Sequence, residues 1–190
     1  ANLVAKYLGE EGLSNTLPEC VAAGVTLGNP VRIHSGNVNP VTSSLLALGT
    51  KACLLKSWTG LKHMISSSQF RSAVSGGLLS PTLAGFDESL APVFVRNNPL
   101  YPYGVRYGYK SGEAYWKDAS SYRFIPFVSV PLLQVVAGDD FLVHRPFFSK
   151  INHSTSNPNV MVVESRTGGH LGWQESPPDV GFSGMGTSWA

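Results

Sequence analysis

The 190-residue chain predicts an α/β fold, namely part of a mostly parallel sheet with flanking helices and a helical insertion between its strands. Three observations carry that expectation. Residues 20–27 (CVAAGVTL), 131–137 (PLLQVVA) and 160–164 (VMVVE) are short apolar runs without polar alternation, the pattern of strands buried on both faces of a parallel sheet. The last two runs end in polar turns, Gly138-Asp139-Asp140 and Arg166-Thr167-Gly168-Gly169-His170. The stretch between the first two carries helical patterns and no convincing strand.

Composition narrows the function classes. An apolar fraction of 43% is enough for the core of one domain, or of most of one. With 14 basic and 12 acidic residues mixed along the chain, for a net charge of +2, there is no basic run to track a nucleic-acid backbone and no acidic tail. No apolar run approaches the ~20 residues of a membrane span. Cys20 and Cys53 lack metal-ligand spacing and are expected to be two buried thiols.

Each element follows in order. Residues 1–11 read as a helix, with Leu3, Val4, Tyr7 and Leu8 at helical spacing and Gly12 able to close it. A helix beginning at the first residue, without a cap, points to sequence upstream. The strand at 20–27 is broken by Gly28-Asn29-Pro30. Residues 41–74 read as helical, with Leu45, Leu46, Leu48, Leu54, Leu55, Trp58 and Leu61 as the apolar stripe and Gly76, Gly77 and Pro81 as punctuation. Thr82 is positioned to cap a short helix through Ala91. Residues 97–109, rich in Pro, Gly, Asn and Tyr, read as a loop, and 111–120 (SGEAYWKDAS) as another short helix. The two later strands, with a short crossover helix at 146–151 between them, make a right-handed parallel unit.

The chemistry lies at the strand ends. In open parallel sheets ligands bind outside the carboxyl ends of the strands, where Asp139 and Asp140 follow one strand and His170 the next. A carboxylate beside an imidazole fixes its tautomer and stabilises the imidazolium as the ring takes a proton. An Asp-Asp pair can equally be a turn or a cap, and a histidine in a glycine-rich loop can be a surface residue. The order of acid and then histidine on successive strands favours catalysis.

Four stretches resemble one family. Ala1-Asn2-Leu3-Val4-Ala5-Lys6-Tyr7-Leu8-Gly9-Glu10 is similar to the helix that follows a nucleophile elbow. Tyr107-Gly108-Tyr109-Lys110-Ser111, with Glu113, Tyr115, Trp116, Ala119, Ser120 and Ser121, resembles a return segment from lid to core. Val130-Pro131-Leu132-Leu133 leading to Gly138-Asp139-Asp140 resembles the strand and turn that bear the acid. Gly168-Gly169-His170-Leu171-Gly172-Trp173 resembles the histidine loop. The family is that of the α/β-hydrolases, in particular its YheT-like bacterial esterases, their plant relatives and the animal α/β-hydrolase-domain lipases.

That resemblance implies a partial α/β-hydrolase fold. Residues 1–40 and 122–190 would be its core and 41–121 a helical lid. The three strands would be the sixth, seventh and eighth of the sheet. It further implies a serine hydrolase of carboxylic esters, with His170 as general base and then acid, Asp140 as its partner, Asp139 as a rival for that role, and Asn2 as a support. The substrate would be a small-molecule or lipid ester. No cofactor, metal or nucleic acid is implied, and membrane association would come only through sequence ahead of Ala1.

The chain departs from the family in one respect. Its serine lies in Gly-x-Ser-x-Gly, which the 190 residues do not contain, and by the resemblance it would fall three residues ahead of Ala1. Gly181-Phe182-Ser183-Gly184-Met185-Gly186 has the wrong spacing and follows the histidine, so it reads as a loop, as does Ser35. His63, His144 and His153 read as structural or surface residues. The chain alone is therefore expected to show no ester turnover and, with its first strand unpaired, to self-associate. The alternative is a non-catalytic binding protein that keeps the fold.

Overall fold

The computed structural model describes residues 1–33, 38–57, 59, 68–93, 108–142, 157–175 and 187–188. Backbone contacts divide the chain into two compact units, residues 1–33 with 119–190, and residues 34–118. The expected crossover helix at 146–151 lies outside the described residues. So do Trp58, Leu61, the serines at 35 and 183, the histidines at 63, 144 and 153, and all of the 97–109 loop but its last two residues.

The first unit is built on a three-stranded sheet in the order β1 (Gly24–Leu27), β2 (Leu132–Ala137), β3 (Val160–Ser165). All pairings are parallel, with Gly24 opposite Leu132 and Leu132 opposite Val160. The sheet and its flanking helices form a partial α/β-hydrolase fold, as the sequence predicts. Only β2 approaches burial on both faces. Val25 on β1 and Met161 and Val163 on β3 are exposed, because β1 and β3 are the outer strands among the described residues. The first strand also starts later than expected, since the N–H of Val21 turns back to the carbonyl of Pro18 (2.9 Å).

One helix, α1 (Asn2–Ser14), covers one face of this sheet. Ala5 and Leu8 pack with Ile125, Val128, Leu132 and Val160 into a core. Gly12 does not end the helix. A Cβ there would run into the carbonyl of Phe127, so the glycine lets α1 approach the turn at Ile125–Phe127. The stop falls at Asn15, in the left-handed region at φ 54°, where the N–H of Thr16 reaches the Glu11 carbonyl (3.0 Å). The other face of the sheet carries Val135, Ala137 and the buried Trp173. A small antiparallel pair, β4 (Gln174–Glu175) with β5 (Thr187–Ser188), follows.

The second unit holds α2 (Pro40–Lys56), α3 (Ser68–Leu79), α4 (Leu83–Leu90) and most of α5 (Gly112–Ala119). Ala73, Val74, Phe86 and Leu90 form its core. Gly76 and Gly77 do not break the helix. They lie inside α3, facing Ser89 and the pair Phe86 and Leu90 of α4, where the missing side chains allow close packing. Thr82 caps α4 as expected, its Oγ1 accepting the N–H of Gly85 (3.2 Å).

Most of the expected apolar stripe of α2 faces outward, while Leu54 packs against the core of Ala73, Val74, Phe86 and Leu90. Val41, Leu45, Leu46, Leu48 and Leu55 are exposed, and the buried residues are Ser43 and Ala47. The cause is polar docking. Ser43 Oγ accepts the N–H of Leu83 (3.1 Å), and Lys51 Nζ donates to the carbonyl of Ser80. The same arrangement exposes Cys53, and Cys20 is exposed in the turn before β1, so neither cysteine is the buried thiol that the sequence implied. Asp87 accepts the indole N–H of Trp116 (2.9 Å). Burial holds its carboxyl above the usual carboxylate range, partly offset by that bond.

Candidate active site

The carboxyl ends of the three parallel strands converge on one imidazole. β2 ends at Ala137, and the N–H of Asp140 closes the turn onto the Ala137 carbonyl (3.3 Å). The Asp140 carboxylate points inward, with its side chain only 1% exposed. One oxygen, Oδ1, accepts the N–H of Leu142 (2.8 Å). The other, Oδ2, lies 3.0 Å from His170 Nδ1. A carboxylate accepts hydrogen bonds and cannot donate them, so Nδ1 carries the proton of this contact. The other ring nitrogen, Nε2, is left to exchange protons with a reactant.

Asp139, adjacent in sequence, does something different. It is exposed, and its Oδ1 accepts the backbone N–H of Gly169 (2.8 Å). The two aspartates, which sequence spacing could not separate, therefore meet different atoms: Asp140 meets the imidazole and Asp139 a backbone N–H.

The histidine loop begins where β3 ends. Gly168 at φ 146° and Gly169 at φ 54° adopt backbone conformations that side chains disfavour, so His170 follows a turn built by glycine. Trp173 anchors the far side of the loop. It is buried at 3% exposure, its indole N–H donates to Ser165 Oγ (2.7 Å), and the N–H of Gly172 returns to the Gly168 carbonyl (2.7 Å).

Gly28, at the end of β1, is a site residue that the sequence reading treated only as a strand break. It sits at φ +55°, and a Cβ there would fall 2.6 Å from the His170 carbonyl oxygen and 3.0 Å from ring atoms Cε1 and Nδ1. Its signal was a glycine at the carboxyl end of a strand beside the one bearing the acid. Just beyond it, the fully buried Asn29 donates to Gln134 Oε1 (3.1 Å) on β2, which ties the segment after β1 to the middle strand.

Asn2 bridges to the segment at 119–121. Its Nδ2 donates to the Ala119 carbonyl (2.6 Å) and its Oδ1 accepts the N–H of Ser121 (3.0 Å). Alongside, Ser121 Oγ contacts the Val31 carbonyl (3.4 Å) and Ser120 Oγ accepts the N–H of Ile33 (2.8 Å). These bonds join the start of α1 and the segment after β1 to the segment leading towards β2.

The chain is 29% identical over 179 residues to a monoacylglycerol lipase of Saccharomyces cerevisiae, covering 91% of the chain and 36% of that protein. It is 27% identical over 175 residues to the mouse phospholipase ABHD3, covering 91% of the chain and 38% of that protein. Over 70 residues, 36% of the chain and 16% of the relative, it is 39% identical to the human monoacylglycerol lipase ABHD2. These relatives support the α/β-hydrolase superfamily. The chain spans little more than a third of the length of these first two relatives. No protein-family model matches the chain, and no solved structure matches it.

Proposed function

We propose that this chain supplies the acid and the base of a serine hydrolase that cleaves carboxylic esters of lipids, in the YheT-like and α/β-hydrolase-domain branch of the superfamily. The observation that carries the proposal is the 3.0 Å contact between His170 Nδ1 and a carboxylate oxygen of Asp140, formed at the carboxyl ends of adjacent parallel strands. The names of the relatives, monoacylglycerol lipase and phospholipase, support a lipid ester as substrate.

In this mechanism His170 Nε2 takes the proton of the attacking serine hydroxyl as its oxygen adds to the ester carbonyl, and returns it to the departing alcohol. Water then enters by the same route and releases the acid. Asp140 holds Nδ1–H throughout and balances the transient positive charge of the ring. The 190 residues contain no Gly-x-Ser-x-Gly in which to place the serine, so the chemistry is to be tested on the full-length gene product.

Residues 41–121 are read as a lid over the acyl chain. The outward stripe of Val41, Leu45, Leu48 and Leu55 on α2 supports a surface that meets apolar substrate.

The test is hydrolysis of a monoacylglycerol and of a water-soluble ester by the full-length protein and its variants. Asp140→Asn is expected to lower kcat by about 10⁴-fold, with KM little changed, and His170→Ala by at least as much. Turnover by His170→Ala at the wild-type rate would overturn the proposal.

A further inference from the structure

The two aspartates after β2 grip two consecutive residues of the loop after β3. Asp140 meets the His170 ring at 3.0 Å, and Asp139 Oδ1 accepts the backbone N–H of Gly169 at 2.8 Å. We infer that Asp139 is a positioning residue for His170: its carboxylate fixes the backbone from which the imidazole hangs, while Asp140 fixes the ring. The consequence for turnover rests on the serine-hydrolase reading, whereas the consequence for the loop does not.

The local chemistry explains why such a grip is needed. His170 follows two consecutive glycines at φ 146° and 54°, and glycine has the most backbone freedom to lose on folding. Left to themselves, these residues would let the imidazole sample many positions. Trp173 and the Gly172-to-Gly168 bond hold the loop on either side of the histidine. Gly169 has open space around its Cα, with nothing within 4 Å of where a Cβ would lie, so side-chain packing does not confine it there. The bond from its N–H to a charged oxygen supplies the restraint, and a hydrogen bond to an ionised acceptor is stronger than a neutral one. An aspartate in a plain turn would satisfy backbone groups of its own turn. The described bond of Asp139 reaches instead to a residue 30 positions away.

The full-length protein carrying Asp139→Ala or Asp139→Asn separates position from charge, because asparagine keeps an acceptor oxygen and loses the charge. Two readouts are needed: hydrogen exchange of the Gly169 amide, and kcat with KM for ester hydrolysis. The downfield proton resonance of His170 Nδ1–H reports the ring independently of turnover. Asp139→Ala is expected to speed Gly169 exchange by roughly tenfold or more, to broaden the His170 resonance, and to lower kcat by about 10- to 100-fold with KM unchanged. Asp139→Asn, which keeps a weaker neutral acceptor, is expected to recover part of each loss.

Wild-type exchange in Asp139→Ala, or faster exchange with wild-type kcat, overturns the assignment. An Asp139→Asn variant as impaired as Asp139→Ala overturns it too, in favour of a purely electrostatic role. If the wild-type protein hydrolyses no ester, or His170→Ala keeps its rate, the serine-hydrolase reading fails instead. Exchange at Gly169 and the His170 resonance then still decide whether Asp139 positions the loop.

Discussion

Gly28→Ala probes the site from the strand that bears neither the acid nor the histidine. The substitution has two effects that the structure separates. Gly28 lies at φ +55°, where a Cβ costs about 1–2 kcal/mol through backbone strain. The same Cβ would stand 2.6 Å from the His170 carbonyl oxygen and 3.0 Å from Cε1 and Nδ1 of the ring. The first distance is about 0.8 Å short of an ordinary 3.4 Å contact. These neighbouring atoms belong to His170, so the histidine must shift by several tenths of an ångström, which disturbs its 3.0 Å contact with Asp140.

A misplacement near 1 Å costs about 10²-fold in rate, and kcat for ester hydrolysis by the full-length protein is expected to fall by roughly 10- to 100-fold. Gly169→Ala provides the stability control. Its φ is +54°, and its Cβ would meet nothing within 4 Å, so its unfolding free energy reports strain alone. In urea titrations Gly28→Ala should lose more stability than Gly169→Ala by the amount of the clash. Wild-type kcat in Gly28→Ala, or equal losses of stability in the two variants, would refute the contact between Gly28 and the imidazole.

Three further outcomes follow from packing and charge. Trp173→Ala removes a buried indole from the core with Val135 and Ala137 and should cost about 3–5 kcal/mol in denaturant unfolding; a loss below 1 kcal/mol would show that the loop is not anchored there. Asn157 Nδ2 donates to the carbonyls of Ile125 and Val128, both at 2.9 Å, and each carbonyl keeps a second donor, the N–H of Val128 and Asn159 Nδ2 respectively, so Asn157→Ala removes two buried hydrogen bonds without stranding an acceptor and should destabilise by about 1–3 kcal/mol, measured the same way. Burial raises the Asp87 carboxyl above its ordinary 3.8. Its contribution is therefore fully present below that value and is lost as pH rises through the raised one. Asp87→Asn keeps an acceptor for Trp116 and removes the buried charge, so it should be at least as stable as wild type at pH 7, with a flatter fall in stability as pH rises above 3.8; a clear loss of stability at pH 7 would contradict the desolvation argument.

The strands of the parallel sheet, and the aspartate pair and histidine at their ends, were legible because their positions depend on local signals. Apolar runs without alternation gave β2 and β3, and the turn residues after them put Asp139, Asp140 and His170 at the strand ends. What the sequence left open depended on contacts between distant segments. Asp139 and Asp140 have the same chemistry and adjacent positions, and only the path of the loop after β3 sends one to a ring nitrogen and the other to a backbone N–H. Gly12, Gly76 and Gly77 read as breaks, yet each lies inside a helix at a point of close approach. The stripe on α2 has the periodicity of a core face, but polar contacts of Ser43 and Lys51 help dock the helix and, apart from Leu54, its described leucines face outward. Periodicity reports that a helix has an apolar face, and the partners available decide where that face points.

A double-mutant cycle at Asp140 and His170 in full-length protein, read as kcat/KM for monoacylglycerol hydrolysis, tests most directly whether these two residues work as one acid–base unit. Groups that act together are strongly non-additive. With the base removed, the carboxylate has nothing left to orient, so His170→Ala combined with Asp140→Asn should be no slower than His170→Ala alone. Losses that multiply, leaving the double variant slower by the full Asp140→Asn factor, would contradict the pairing of these residues in catalysis.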